Sequence, residues 1–587
     1  MLRHTSALFS LAVLSLTPAI AQTTRRISVD PSGGSGNGDS GVPSISDDGR
    51  YIGFASDASN LVLGDTNGVT DAFVRDRHTG LTERVSVDST GTEGNGISYD
   101  VHVSADGRFV AFSSAATNLV PGDTNGVADV FVHDRQTGQT TRVSVDSFGG
   151  QGDGTSGAAS MSADGRYVAF VSAATNLVPG DTNGVYDIFV HDRSTSVTRR
   201  ASVDSAGAQS NRISFFASIS GNGRFVAFES EASNLVANDT NASFDVFVHD
   251  LLTASTQRVS VSSAGTQAND GSSWPSISFD GRFVAFNSNA SNLVAGDTNG
   301  VNDVFVHDRE TGSTERVSVA SDGAQGNDQS GVTTSISPDG RYVAFGSQAT
   351  NLIAGDSNGK SDVFVHDRLT GVTTRESVST SGAAPNEDSA WAFLSAGARF
   401  MVFESSATNL VPNDASYYDV FLRDRGTSAA FAPMCFGDGS VASCPCSNDG
   451  ASGHGCASSV SSGALLAASG AASLSDDSAL LTSSGEPASA LSIVFQGSDA
   501  IAPTSFGGGL RCAGGVLLRP YTKDASGGTM SAPQGSEQPI SERSAVLGDP
   551  ISLGSTRIYQ VYYRDSNLSF CPAGFNASNA IAIAWGT

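Results

Sequence analysis

The chain has 587 residues, only 16% of them charged, and a net charge of −26. A surface of that sign repels phosphate backbones and argues against a nucleic-acid partner. The abundance of Gly and Ser reads as turn-rich β-protein and excludes coiled coil, and positive charge comes almost wholly from arginine, with lysine only at Lys360 and Lys523.

Residues 1–21 read as a signal peptide. Arg3 and His4 precede an apolar run from Ala7 to Leu16, and Ala19-Ile20-Ala21 offers a small-x-small cleavage site. The run is too short to span a bilayer, and no later segment is long and apolar enough to do so. The mature protein is therefore expected to be exported and soluble, secreted or at the cell surface, with the periplasm as the alternative.

Residues 22–425 hold seven copies of one unit, with a period of about 58 residues. A turn leading into a strand marks each copy: Asp48-Gly49-Arg50-Tyr51, Asp106-Gly107-Arg108-Phe109, Asp164-Gly165-Arg166-Tyr167, Asn222-Gly223-Arg224-Phe225, Asp280-Gly281-Arg282-Phe283, Asp339-Gly340-Arg341-Tyr342 and the worn Gly397-Ala398-Arg399-Phe400. The second copy predicts four strands: Val101 to Ser104, Arg108 to Phe112, Asp129 to Asp134 and Thr141 to Val145. Four short antiparallel strands are the content of one propeller blade. The fourth-strand motif recurs at Arg84, Arg142, Arg200, Arg258, Arg316 and Arg375 but is missing from the seventh copy. It stands instead at Arg26-Ile27-Ser28-Val29, ahead of the first copy. A closed ring makes use of that displacement, because the N-terminal strand completes the last blade and leaves no exposed sheet edge. The expected fold is thus all-β: a closed seven-bladed β-propeller followed by a smaller domain.

The Ser-x-Asp-Gly-Arg-Tyr/Phe-Val-Ala-Phe pattern resembles the WD-like repeats of TolB-type β-propellers, over residues 25–425. That resemblance implies an exported propeller that binds other proteins or envelope components. The long Asp-Thr-Asn-Gly connection departs from the simplest members, so their partners do not carry over.

Three sets of residues invite a functional reading. The connection before the third strand repeats oxygen-bearing side chains at Asp65/Asn67/Asp71, Asp123/Asn125/Asp129, Asp181/Asn183/Asp187 and Asp297/Asn299/Asp303. Oxygen ligands at turn positions one, three and seven suit Ca²⁺. The pattern departs from an EF-hand, however, with Gly at position four and no Glu at twelve. The competing reading is an Asx-turn, and it ranks first because three side-chain ligands are few for calcium. His133, His191, His249, His307 and His366 share one position, with Arg75 and Arg423 in the outer copies. A residue repeated around a ring serves the unit, so a strand cap or blade-to-blade hydrogen bond is expected. Function belongs where copies disagree. The residue entering the first strand reads Val42, Asp100, Ala158, Phe216, Trp274, Thr333 and Trp391, preceded by Gly41, Tyr99, Gly157, Phe215, Ser273, Val332 and Ala390. First strands line a propeller's channel, so Tyr99, Asp100, Phe215, Phe216, Trp274 and Trp391 are the candidate ligand-binding residues at its mouth. Aromatic side chains there can stack on a sugar or grip a peptide; equally, they can plug the channel.

Residues 426–434 read as a linker, and 435–587 as a β-rich domain with all six cysteines, Cys435, Cys444, Cys446, Cys456, Cys512 and Cys571. An even number in an exported chain predicts disulfides, and the Cys444-Pro445-Cys446 spacing is too tight for a zinc knuckle. Strands are expected at Ala490 to Phe495, Gly515 to Arg519, Ile558 to Tyr563 and Ala580 to Trp585, in a disulfide-stapled sandwich. The stretches Cys435-Phe436-Gly437-Asp438-Gly439, Gly509 to Gly515 and Tyr559 to Asp565 resemble a C-terminal module of large secreted bacterial proteins.

No nucleophile elbow or phosphate loop is found, and the carboxylate pairs are too numerous to single out an acid and a base. The sequence therefore reads as an exported, non-catalytic binding scaffold, expected to be a monomer, whose propeller face takes a protein or glycan ligand. No cofactor is required, calcium being the one candidate. The alternatives are a polysaccharide-degrading hydrolase or lyase using carboxylates at the channel mouth, and a purely structural envelope protein.

Overall fold

The computed structural model describes residues 22–425 apart from 415 and 416, and most of 431–585; residues 1–21, 426–430, 435–443 and several short stretches beyond lie outside the described residues. The signal peptide and Cys435 and Cys571 fall on that outside set.

Seven four-stranded antiparallel sheets follow one another as propeller blades. The second blade is typical, with strands Ser98–Val103, Phe109–Ser114, Asp129–Asp134 and Gln139–Arg142, running from the channel outward. Within each blade two phenylalanines stack across the second and third strands, such as Phe112 and Phe131, whose centroids lie 5.9 Å apart. These rings are fully buried, and the core sits between blades: Val110 and Phe112 pack with Ala72, Val74 and Val85 of the preceding blade.

The fourth strand ends about three residues earlier than the β-branched run suggests. Arg142 is its last residue, because Ser144 leaves the ladder: its hydroxyl donates to the Asp129 carboxylate (2.6 Å) and accepts from the Val130 amide (3.1 Å). The same shift applies at the ring's seam. The N-terminal strand is Thr23–Arg26, not Arg26 to Val29, and pairs antiparallel with Asp419–Asp424, Thr23 opposite Asp424 and Arg26 opposite Phe421. The amide of Ile27 adds one more bond to the Val420 carbonyl, at 2.7 Å. Closure is therefore as expected, with strand ends displaced.

The turn motif explains how neighbouring blades lock. Asp106 accepts hydrogen bonds from the Ser104 hydroxyl (2.7 Å) and the Arg108 amide (2.9 Å). Gly107 has φ +71°, and a β-carbon there would lie 2.0 Å from Tyr51 of the preceding blade. Arg108 reaches forward to the Asp134 carboxylate, and the next arginine, Arg135, lays its guanidinium 4.2 Å from the centroid of that same Tyr51 ring. Across the seam, Gly49 and Arg77 meet Phe400 in the same way. Near the other end of the channel amides pass hydrogen bonds from blade to blade: Ala396 to Asp47, Asp47 to Ala105, Ala105 to Ala163 and Ala163 to Gly221, each 3.0 Å.

The C-terminal region has a five-stranded sheet and a three-stranded sheet. Leu466 and Leu481 of the smaller sheet share a buried cluster with Val494, Tyr559 and Ile581 of the larger, and with Trp585. The larger sheet's edge strand is Phe431–Met434, paired with Ala580 to Ile583, so four residues read as linker belong to this sheet. Their short stretch with an internal proline lacks the alternation that marks a strand, and an edge position tolerates it. Cys444 and Cys456 form a disulfide, and Cys446 and Cys512 are disulfide-bonded as well.

Candidate functional site

The seven inner strands wall a cavity of about 320 Å³ along the propeller axis. Each inner strand carries a bulge near its entry. At that bulge Val42, Asp100, Ala158, Phe216, Trp274 and Trp391 hold φ between 43° and 54°, a left-handed conformation that side chains disfavour. In the sixth blade Gly331 takes the positive φ instead, leaving Thr333 unstrained. Strained backbone of this kind costs on the order of 1–3 kcal/mol per residue and persists only where neighbours hold it. Here acids hold it. The Glu229 carboxylate accepts the Trp274 amide at 2.9 Å, Glu404 accepts the Val42 amide at 3.1 Å, and Asp100 accepts the Ala158 amide at 3.0 Å. Each bond crosses from one blade to the next.

Four of the six residues expected at the mouth line this cavity: Asp100, Phe216, Trp274 and Trp391. Phe216 and Trp274 stack with centroids 3.9 Å apart, and Trp391 meets Trp274 edge-on at 5.3 Å. The aromatic side chains thus form one arc, drawn from blades four, five and seven, while Val42, Asp100 and Ala158 leave the opposite arc low. Tyr99 and Phe215 do not line the cavity. The residue before the bulge faces the other side of its strand, where Phe215 packs on Tyr186 at 5.2 Å and Tyr99 joins the core of the second blade.

Glu229 and Glu404 escaped the sequence reading. They occupy the fifth position of the second strand, which reads Ala55, Ser113, Val171, Glu229, Asn287, Gly346 and Glu404. An acid in an apolar strand otherwise patterned as Tyr/Phe-x-x-Phe-x-Ser was a detectable signal. Burial pushes Glu229 up to about 7, against the lowering effect of the Trp274 amide; burial also raises Glu404 and Asp100. Among the described residues no lysine or arginine lines the cavity. A glutamate raised from 4.5 to about 7 destabilises the fold when ionised, above pH 7, and the penalty fades as pH falls toward 4.5. Glu229→Gln keeps an acceptor for the Trp274 amide. It is therefore expected to raise unfolding stability by about 2–3 kcal/mol at pH 8 and to change little at pH 4.5, in denaturant titrations at both values. An equal effect at the two pH values would contradict the assignment.

The aspartate loops and the shared histidines face other work. Asn67, Asn125, Asn183 and Asn299 donate their side-chain amides to Asp71, Asp129, Asp187 and Asp303 at 2.8–3.1 Å. Arg84, Arg142, Arg200 and Arg316 of the outer strands lie between these aspartates and Asp65, Asp123, Asp181 and Asp297, with N–O distances of 3.1–3.5 Å. Each loop thus has its own guanidinium between its carboxylates, an arrangement that favours the turn reading. In the first blade Glu93 joins Asp65 and Asp71, with carboxylate oxygens of all three within 4.8 Å. Burial and the adjacent Asp71 raise Asp65 to about 6. The histidines bond between blades. His133 Nδ1 lies 2.9 Å from the Thr140 hydroxyl, which itself donates to the Val87 carbonyl one blade back. With the hydroxyl proton so used, His133 is the Nδ1–H donor. Arg423 reaches Thr24 in the same role at the seam, at 3.2 Å.

No family model and no curated protein matches the chain. Among solved structures it is similar to TolB from Acinetobacter baumannii, at 15% identity over 56% of this chain and 64% of that one, with a TM-score of 0.33. It is similar also to oligogalacturonate lyase from Vibrio parahaemolyticus, at 12% identity over 69% and 90%, TM-score 0.40. A third is an acylaminoacyl peptidase from Pyrococcus horikoshii, at 10% identity over 68% and 55%, TM-score 0.40. Three such different proteins at such scores say nothing about what this propeller does.

Proposed function

We propose that this chain is an exported, non-catalytic binding scaffold whose ligand seats in the mouth of the propeller channel. One observation carries the reading: six inner strands are bent into a disfavoured backbone conformation at one level, and the side chains so presented are an aromatic arc facing a low arc that contains Asp100. Strain concentrated at one ring of positions accompanies ligand sites more often than inert cores. The disulfide between Cys444 and Cys456 supports export, since such bonds persist in oxidising compartments. No helix among the described residues is long and apolar enough to cross a membrane.

The test is a screen of oligosaccharides and peptides against the full chain, read by tryptophan fluorescence, with Trp274→Ala and Trp391→Ala in parallel. A ligand of the mouth should lose at least tenfold in affinity in either variant, the usual scale for a buried aromatic contact. Binding unaltered in both variants would place the ligand elsewhere and end the proposal. A second reading has one observation behind it: with its carboxyl at about 7, Glu229 exchanges a proton near neutral pH, as a general acid must. Release of reducing ends or unsaturated sugars from a polysaccharide panel, abolished by Glu229→Gln, would replace the scaffold by an enzyme.

A further inference from the structure

The propeller pairs its buried charges with arginines, except at one level. At the turns, Arg50–Asp76, Arg108–Asp134, Arg166–Asp192, Arg224–Asp250, Arg282–Asp308 and Arg341–Asp367 pair at 2.7 Å. In the loops an arginine bridges each pair of aspartates. At the level of the bulges Asp100 on an inner strand, and Glu229 and Glu404 on second strands, accept only backbone amides and, for Asp100, the Ser113 hydroxyl. No ion pair engages any of the three among the described residues.

Of these acids only Asp100 lines the cavity, Glu229 and Glu404 standing one strand behind it; a second set of lining groups is independent of all three. Ser44, Thr333 and Thr334 are 5%, 3% and 7% exposed, and their hydroxyls have no hydrogen-bond partner. The His102 Nδ1 is likewise buried and unpartnered, and burial holds that imidazole down at about 4, so it is neutral. All four residues line the cavity. A buried polar group without a partner is uncommon and points to a missing one. Hydroxyls accept through their lone pairs, and a neutral imidazole protonated on Nε2 accepts at Nδ1. In the ionised form that a neighbouring cation favours, the carboxylates accept only. What the cavity lacks is therefore a group that brings several donors and positive charge, on a stem that Phe216, Trp274 and Trp391 can flank.

Resting on the channel-mouth reading above, we propose that the propeller channel receives the lysine or arginine side chain of an extended basic peptide segment. An ammonium or guanidinium supplies donors with no acceptor and is attracted to aromatic faces. An anionic ligand would meet Asp100, with Glu229 and Glu404 one strand behind and no arginine paired to any of the three, whereas a cation favours their ionised form.

The test uses the full chain with three probes: N-acetyl-tri-lysine amide, the same peptide with every lysine Nε-acetylated, and a neutral hexasaccharide. Tryptophan fluorescence and titration calorimetry report binding. Tri-lysine is expected to bind, to weaken at least tenfold in the Glu229→Gln/Glu404→Gln variant and in Trp391→Ala, and to fail when acetylated. Loose attraction to a chain of charge −26 would be almost unchanged by removing two carboxylates, so tri-lysine binding that survives the double variant overturns the inference. Equal binding of the acetylated peptide, or no binding of tri-lysine, also overturns it. If the hexasaccharide binds instead and Trp391→Ala removes that binding, the mouth remains a binding site with a different ligand. If no probe responds to Trp391→Ala, the mouth reading falls with it. Glutamine keeps an acceptor for the Trp274 and Val42 amides, and a thermal melt confirms that the double variant is folded.

Discussion

A chain from which residues 22–29 are removed is expected to lose the cooperative unfolding of the ring, to melt well below the intact chain and to self-associate. The segment does more than add a strand. Ile27 is 3% exposed and packs with Ile52, Phe54, Val402 and Val420 from both sides of the seam. Burial of such a side chain is worth about 1.5–3 kcal/mol. Arg26 bonds Asp414 and lies 3.4 Å from Asp419, and Ser28 also donates to Asp419. Burial raises Asp419, despite Ser28 and Arg26, and Asp414 adds to the rise. Taking away the guanidinium leaves two crowded acids out of water, and breaking a buried pair costs about 3–5 kcal/mol. The third strand of blade seven then becomes a bare edge, open to pairing with another copy. Calorimetry, limited proteolysis and size-exclusion chromatography read the three effects, and a synthetic peptide of residues 22–29 should restore the melt. A truncated monomer melting in one transition at the intact temperature would show that the strand is dispensable.

The second large effect is expected from Arg142→Met. Its guanidinium lies 3.1 Å from Asp129, which is fully buried, and 3.4 Å from Asp123. Methionine matches the volume but not the charge, leaving a buried carboxylate with hydroxyl and amide donors only. A loss of about 3–5 kcal/mol is expected from denaturant titration. Arg108→Met removes a shorter arginine–aspartate pair, 2.7 Å, but one with the arginine side chain 40% exposed, and it should cost far less. Equal losses would show that burial is not the deciding variable. Because the positive charge in each loop belongs to the protein, thorough chelation should leave the melting temperature where it was. A fall on chelation would show a bound cation that the arginine does not replace.

The ring was legible because its signals are local and repeated: a glycine turn, an alternating strand and a missing fourth-strand motif that reappears at the start. Strand ends were not, since Ser86 and Ser144 leave the ladder by bonding Asp71 and Asp129, residues fifteen positions back. At the mouth, variation between copies singled out Asp100, Phe216, Trp274 and Trp391, but the bulge that turns Tyr99 and Phe215 aside is a property of paired strands. Glu229 and Glu404 stand out in the second strand, but their bonds to the Trp274 and Val42 amides of the next blade show only in the folded ring. The pairing of loop aspartates with arginines from the outer strand needed the third dimension.

The joint between blades makes each copy a plug with its own socket. The turn glycine of one unit seats on the ring that follows the turn of the unit before it, so a duplicated stretch of gene arrives already able to dock on its parent. The seventh copy shows the tolerance of that fit. Ala398 stands where the others have glycine, and Arg425 lies 5.6 Å from the Tyr342 centroid, against 4.0–4.6 Å at five other joints. One methyl group loosens the coupling without undoing it. A propeller assembled this way gains or loses units whole, and the size of its bore follows from how many were copied.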